Sequence, residues 1–142
     1  MSYAGFWKRT AAYLIDLIIF YTLGFAVGIV IGVMLYTNDP YIDDFTVEMV
    51  GALLGIISTW IFYAAFESSL KQATPGKMAL GIIVTDLEGN RISFGRASGR
   101  FFSKIISGFI LCIGFLMVAF TQKKQGLHDK MCECLVINKE IK

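Results

Sequence analysis

The sequence predicts an all-α membrane protein: a small transmembrane helical bundle of two full spans plus a third short or re-entrant segment. A small cytoplasmic β-hairpin or three-stranded sheet completes it. Three observations carry this reading. More than half of the residues are hydrophobic and only 17% are charged, too little polar surface to clothe a soluble globule of this size. Two uncharged runs, Leu17–Tyr36 and Met49–Phe66, hold 20 and 18 residues, and about 20 apolar residues cross a bilayer core. Lys and Arg lie one-sidedly about those runs. With 142 residues, the chain reads as one domain, 1–142.

The first apolar run continues from Thr10 to Tyr36 with Asp16 as its only charge. It is too long for the apolar region of a signal peptide and shows no convincing cleavage site, so residues 10–36 read as a retained span. Asn38, Asp39 and Pro40 break it. The connection Thr37–Glu48 carries acids and neither Lys nor Arg. Residues 49–66 form the second span and end near Trp60, Phe62 and Tyr63; Trp and Tyr favour the lipid–water boundary. Lys8 and Arg9 precede the first span, and six Lys/Arg lie in Glu67–Lys104 after the second. Cytoplasmic loops carry the excess of basic residues, which places the N-terminus and Glu67–Lys104 inside and the acidic connection outside.

Within the polar stretch, Leu80–Asp86 is rich in β-branched residues, Leu87–Asn90 has the Gly and Asn of a turn, and Arg91–Phe94 offers a partner. A hairpin is predicted over residues 78–94. A lone hairpin is marginal in water, and Leu135–Asn138 could add a third strand. A helix follows from Gly95, with Arg96, Arg100 and Lys104 on one face. That stripe reads as solvated or headgroup-facing, with pairing to acids elsewhere as the other option. The last apolar segment is placed over residues 101–120, but Ile105–Phe120 gives only 16 uncharged residues, short for a crossing. A crossing would also put Lys123, Lys124, Lys130, Lys139 and Lys142 outside, against the charge asymmetry. A break near Ser107-Gly108 or Gly114 that returns the chain to the cytoplasm is preferred.

Glycines recur every four residues at Gly24, Gly28 and Gly32, and again at Gly51 and Gly55. Small residues at this spacing let helices approach closely, within the chain or between copies of a homo-oligomer. Asp16 is an intramembrane carboxylate and needs a partner or a water path, as a structural clamp or as an ion- or proton-handling site. His128 is the sole histidine, beside Asp129, and histidine titrates near neutral pH. Glu67 lies at the end of the second span, and Lys77 lies in Thr74-Pro75-Gly76-Lys77, which lacks the glycine spacing of a phosphate-binding loop. Arg9, Asp16, His128 and Asp129 are expected to form one polar cluster near the cytoplasmic end, with Glu67 and Lys77 as further candidates. Three cysteines, Cys112, Cys132 and Cys134, read as free thiols in a reducing compartment; with only His128 near them, no metal site and no cofactor is expected. No catalytic Ser-His-Asp order or paired zinc-ligand spacing is present, so the chain is expected not to be an enzyme, and no nucleic-acid partner is implied.

Phe6-x-x-Arg9 with Ala12 and Asp16, Thr74-Pro75-Gly76-Lys77 leading to Gly81 through Gly89, Arg100, and Gly126-Leu127-His128-Asp129-Lys130 together resemble the RDD family of small prokaryotic membrane proteins. The family is named for an arginine and two aspartates, which map onto Arg9, Asp16 and Asp129. The chain departs from the pattern after His128-Asp129, where Met131-Cys132-Glu133-Cys134 stands in place of small residues and Thr. The resemblance implies a multi-pass protein of a prokaryotic plasma membrane, and some members are associated with exchange of monovalent cations and protons. The competing reading is a non-transport membrane component, such as a scaffold, partner subunit or envelope-protection protein, in which the same residues are a structural polar clamp.

Overall fold

The computed structural model describes residues 2–39, 41–109 and 113–139. Its two long helices are α1 (Phe6–Asn38) and α2 (Asp44–Ser68), both long and apolar enough to cross a membrane. The 33 residues of α1 reach about 50 Å at 1.5 Å per residue, about 20 Å more than a bilayer core needs. The surplus lies at the N-terminal end. There Ala12 and Asp16 are buried by the rest of the chain, whereas beyond them Phe25, Val27, Val30 and Val33 stand exposed, as lipid-facing residues do. The last turn of α1 closes with Asp39 N–H donating to Leu35 O at 3.0 Å, and Pro40 lies outside the described residues. Helix α2 begins a turn before the second apolar run because Asp43 caps it, accepting from Thr46 N at 2.9 Å and Thr46 Oγ1 at 2.6 Å. Tyr36 Oη donates to Asp44 at 2.7 Å and ties the two helix ends together.

After α2 come α3 (Pro75–Ala79), β1 (Ile82–Asp86), α4 (Phe94–Phe109), α5 (Ile113–Phe120), α6 (Leu127–Met131) and β2 (Cys134–Asn138). The sheet corrects the expected hairpin over 78–94. Strand β1 pairs antiparallel with β2, with Val84 opposite Val136 at the centre, and the order is two-stranded. The turn at Leu87–Asn90 does form, held by Asp86 Oδ1 accepting from Glu88 N at 2.9 Å and Asn90 N at 2.8 Å. Arg91–Phe94 then leaves the sheet because no edge of β1 remains open to it. One edge holds β2; along the other, Gln72 O accepts from Val84 N at 2.8 Å and Gln72 Nε2 donates to Val84 O at 3.1 Å. Ser93 instead starts α4, accepting from Arg96 N and Ala97 N. The outer edge of β2 is met by the N-terminus, through a single Tyr3–Ile137 bridge and Ala4 N donating to Val136 O at 2.9 Å.

The same pairing fixes the path of the last apolar segment. The chain leaves the sheet at Asp86, runs through α4 and α5, and rejoins it at Cys134. Both ends of the α4–α5 excursion therefore lie at one end of the bundle. Ser107 and Gly108 are helical within α4 and Gly114 is helical within α5; the interval between the helices, residues 110–112, lies outside the described residues, and Cys112 with it.

Three alanines, Ala12 of α1, Ala64 of α2 and Ala97 of α4, form the core with Ile82, Val84, Cys134 and Val136 of the sheet. Alanine's small side chain lets three helices come close to one sheet. Aromatic packing extends the α2–α4 seam, with Trp60 against Phe94 and Phe102 and its indole N–H donating to Ser98 at 2.9 Å.

The spaced glycines are not used inside the chain. A methyl group added at Gly24, Gly28, Gly32, Gly51 or Gly55 would meet nothing within 4 Å. Gly76 is the tightest of the described glycines: a Cβ there would lie 2.1 Å from Ala12 O and 2.9 Å from the Asp16 carboxylate. Gly76→Ala is expected to lower stability in detergent by about 1–3 kcal/mol through overpacking. Gly28→Ala should leave it unchanged or raise it by up to about 1 kcal/mol through helix propensity. Thermal unfolding of both variants checks the contrast, and equal effects would contradict the docking of α3 on α1.

Candidate functional site

Asp16 caps a helix that lies far from it in sequence. Pro75 at the start of α3 has no N–H, so the first helical donor needing a partner is that of Gly76. Asp16 Oδ1 accepts it at 2.6 Å, and Asp16 Oδ2 accepts from Thr74 Oγ1 at 2.5 Å. Thr74 stands at the cap position of α3 but spends its hydroxyl on Asp16 rather than on its own helix. The carboxylate is fully buried and satisfied by two neutral donors, and no backbone closer than glycine could approach it.

Below it lies a chain of buried ions. Arg9 of α1 pairs with Asp129 of α6, and its guanidinium also donates to Ala4 O at 3.0 Å and Lys124 O at 2.5 Å. Arg100 of α4 donates to the other Asp129 oxygen at 2.6 Å and lies 3.3 Å from Glu67 of α2. Glu67 in turn accepts from Lys77 of α3 at 2.5 Å and lies 3.4 Å from Lys104 Nζ, which sits over the Tyr63 ring. Every link joins two different elements. Asp129 also accepts from Gly126 N at 3.2 Å, which fixes the first turn of α6.

Burial sets the titration of the members outside the spanning helices. It pushes the Lys77 ammonium down to about 8, against the pull of Glu67 and helped by Lys104 and Arg100. It pushes the His128 imidazole down to about 3, against Asp129 and with Lys104, Arg100 and Arg9 adding to the effect. Burial alone would raise the Asp129 carboxyl, but Arg100 and Arg9 overcome it and hold the group below the ordinary carboxylate range. At neutral pH the site therefore holds neutral histidine and ionised Asp129. A cavity of about 530 Å³ opens beside the ions, lined by Arg9, Asp16, Lys77, Arg100, Lys104 and His128 among aromatic and aliphatic side chains.

Of the residues expected to cluster, Arg9, Asp129 and His128 meet directly, with His128 Nε2 3.4 Å from Asp129 Oδ1. Asp16 lines the same cavity but gives its oxygens to Thr74 and Gly76 instead of a cation. Glu67 and Lys77 form one pair within the cluster. The reading of Arg96, Arg100 and Lys104 as one solvated stripe is corrected. Arg100 is only 1% exposed, Lys104 is part-buried against Glu67, and Arg96 alone stays at the surface, 3.7 Å from Glu133. Thr74, Gly76, Arg100 and Lys104 are thus site residues absent from the expected set. A signal for Arg100 was present: Ala97, Ser103 and Ser107 mark a small-residue face of α4, and Arg100 falls between them on that buried side.

The titration of His128 has a measurable consequence. Its folded pKa of about 3 lies below the ordinary 6.5, so the unfolded chain binds a proton that the native one refuses. The stability this supplies is complete above about pH 6.5 and is lost as pH falls toward 3. Acidification from about pH 7 to about pH 5, above the ordinary carboxylate range, is expected to cost about 2 kcal/mol. His128→Gln should flatten that slope in detergent melting curves, and an equal slope in both proteins would contradict the burial of a neutral imidazole.

Known proteins resemble this chain over nearly its whole length. The chain is 36% identical over 148 residues to the uncharacterized protein YxaI of Bacillus subtilis (strain 168), covering 96% of this chain and 97% of that one. It is 27% identical over 147 residues to the uncharacterized membrane protein YteJ of the same organism, covering 99% and 84%. No solved structure matches. The model of the RDD family matches residues 3–133, a stretch that takes in Arg9, Asp16 and Asp129 together with the capped α3 and α6. This membrane protein belongs to the RDD family.

Proposed function

We propose that the chain is a non-transport component of a prokaryotic plasma membrane, in which the buried ions clamp a folded cytoplasmic unit onto the membrane helices. The observation that carries this is that all three carboxylates are committed to fixed donors on other elements. Asp16 holds α3 to α1, Asp129 holds α6 to α1 and α4, and Glu67 holds α2 to α3 and α4. The N-terminus and sheet face the cytoplasm in this reading, and α4–α5 re-enters without crossing. The support is that the strand pairing returns the Lys123–Lys139 stretch to the end that holds Lys8 and Arg9, while Asp39, Asp43, Asp44 and Glu48 lie at the opposite ends of α1 and α2.

Movement of monovalent cations or protons is the second reading, and the cavity is what favours it. Its described lining opposes a cation, with Arg9, Lys77, Arg100 and Lys104 against the Asp16 carboxylate. A proton relay through His128 is also disfavoured, because an imidazole titrating at about 3 does not exchange protons near neutrality.

Proteoliposome flux measured beside thermal stability separates the two readings. The clamp predicts no proton or monovalent-cation flux above empty vesicles. It also predicts a loss of about 3–5 kcal/mol in Asp129→Asn, which leaves Arg9 and Arg100 buried without their counter-ion. Asp16→Asn keeps an oxygen for Gly76 and should cost about 1–3 kcal/mol. Cation-dependent proton flux in the wild type that Asp16→Asn abolishes at unchanged stability would establish transport instead.

A further inference from the structure

The cavity between α1, α2, α4 and α5 has a charge and shape that the clamp does not explain. We infer that it binds the phosphate group of an anionic glycerophospholipid, with the start of an acyl chain along its apolar wall. At about 530 Å³ it is in the size range of sites for small ligands and cofactors. Among the described residues four cations, Arg9, Lys77, Arg100 and Lys104, line it, and Asp16, the one carboxylate of that lining, has its oxygens taken by Thr74 and Gly76. With Glu67 and Asp129 included, the described ions around it still hold one more cation than carboxylates, and His128 is neutral. That net positive charge, part of it facing the opening at Arg9 and Lys104, complements the single negative charge of a phosphodiester.

Hydrogen bonding points the same way. Arg100 is 1% exposed, and its Nε has no acceptor among the described residues although the side chain lines the cavity. Buried guanidinium donors are ordinarily satisfied, and phosphate oxygens match the planar donor array of arginine. Both carboxylates near Arg100 are already shared with Arg9, Lys77 and Lys104.

The walls favour a lipid over a soluble phosphate. Tyr13, Phe101, Ile105 and Val118 supply a largely apolar lining. Ile105 is also exposed on the outer face of α4, so the lining runs out to the surface that meets the bilayer. A free phosphate ion would occupy the cationic end and leave this wall unfilled.

Protein in a neutral detergent, titrated separately with a short-chain phosphatidylglycerol, the matching phosphatidylcholine and inorganic phosphate, tests the assignment by the shift in melting temperature. Phosphatidylglycerol should raise the midpoint saturably, and the other two should leave it near its starting value. Native mass spectrometry should show one phosphatidylglycerol retained per chain. Lys104→Gln removes one lining cation while Glu67 keeps Lys77 and Arg100, and should weaken phosphatidylglycerol binding about tenfold. Ile105→Trp fills the apolar wall from an exposed helix position and should abolish the shift while leaving the lipid-free midpoint close to wild type. Equal shifts from both lipids would overturn the phosphate assignment. A shift from inorganic phosphate equal to that from phosphatidylglycerol would overturn the lipid assignment, and unchanged phosphatidylglycerol affinity in both variants would overturn the location.

Discussion

Burying the Arg100 guanidinium costs several kcal/mol unless carboxylates meet it in good geometry, and the polar end of the molecule is built to supply them. Asp129 lies on one side at 2.6 Å and Glu67 on the other at 3.3 Å. Each partner brings a structural element with it. Asp129 reaches Arg100 because α6 is capped at Gly126 and continues into β2, and β2 must pair with β1. Glu67 binds Lys77, which carries α3, and α3 sits on α1 through Gly76 and Asp16. Arg9 closes the circuit from α1 back to Asp129. A single buried cation therefore sets the mutual placement of three helices, two short capped turns and a sheet.

Two solvents divide the labour along α1 and α2. Over most of their length the helices touch each other little and expose large apolar side chains, which suits lipid and leaves packing within the chain weak there. At the sheet end the same helices enter a compact unit with a small alanine and β-branched core. The ion cluster sits at the junction, close enough to the apolar region that each charge requires a partner and close enough to the surface that Arg9 and Lys104 stay partly exposed.

Much of this arrangement was legible in the residues. The two candidate spans follow from uncharged runs of sufficient length, and the lysines after Phe120 argued for a chain that comes back to the end of the bundle where β2 meets β1. Arg9, His128 and Asp129 belong together because each is costly alone near hydrocarbon. Other parts depended on contacts that local pattern does not encode. The turn at Leu87–Asn90 signals a hairpin, but Gln72, from before α3, occupies the edge a hairpin would use. Asp16 shares a helix face with Arg9, yet its donors come from Thr74 and Gly76, brought there by the docking of α3. Regular glycine spacing drew attention to positions that have open space around them, while the tightest described glycine, Gly76, lies in the short helix α3 outside any such repeat. Arg100 looked like one member of a charged stripe, although its small-residue neighbours at positions 97, 103 and 107 mark the buried side of α4.

Hydrogen–deuterium exchange of the wild type and Arg100→Met in the same detergent tests the central role of this ion most directly. If Arg100 joins the elements, its removal should release the amides of β1, β2, α6 and the first turns of α1 together, at similar rates, while amides within Leu17–Tyr36 keep their protection. Protection lost only around α4, with β1 and β2 exchanging as slowly as in the wild type, would contradict the account.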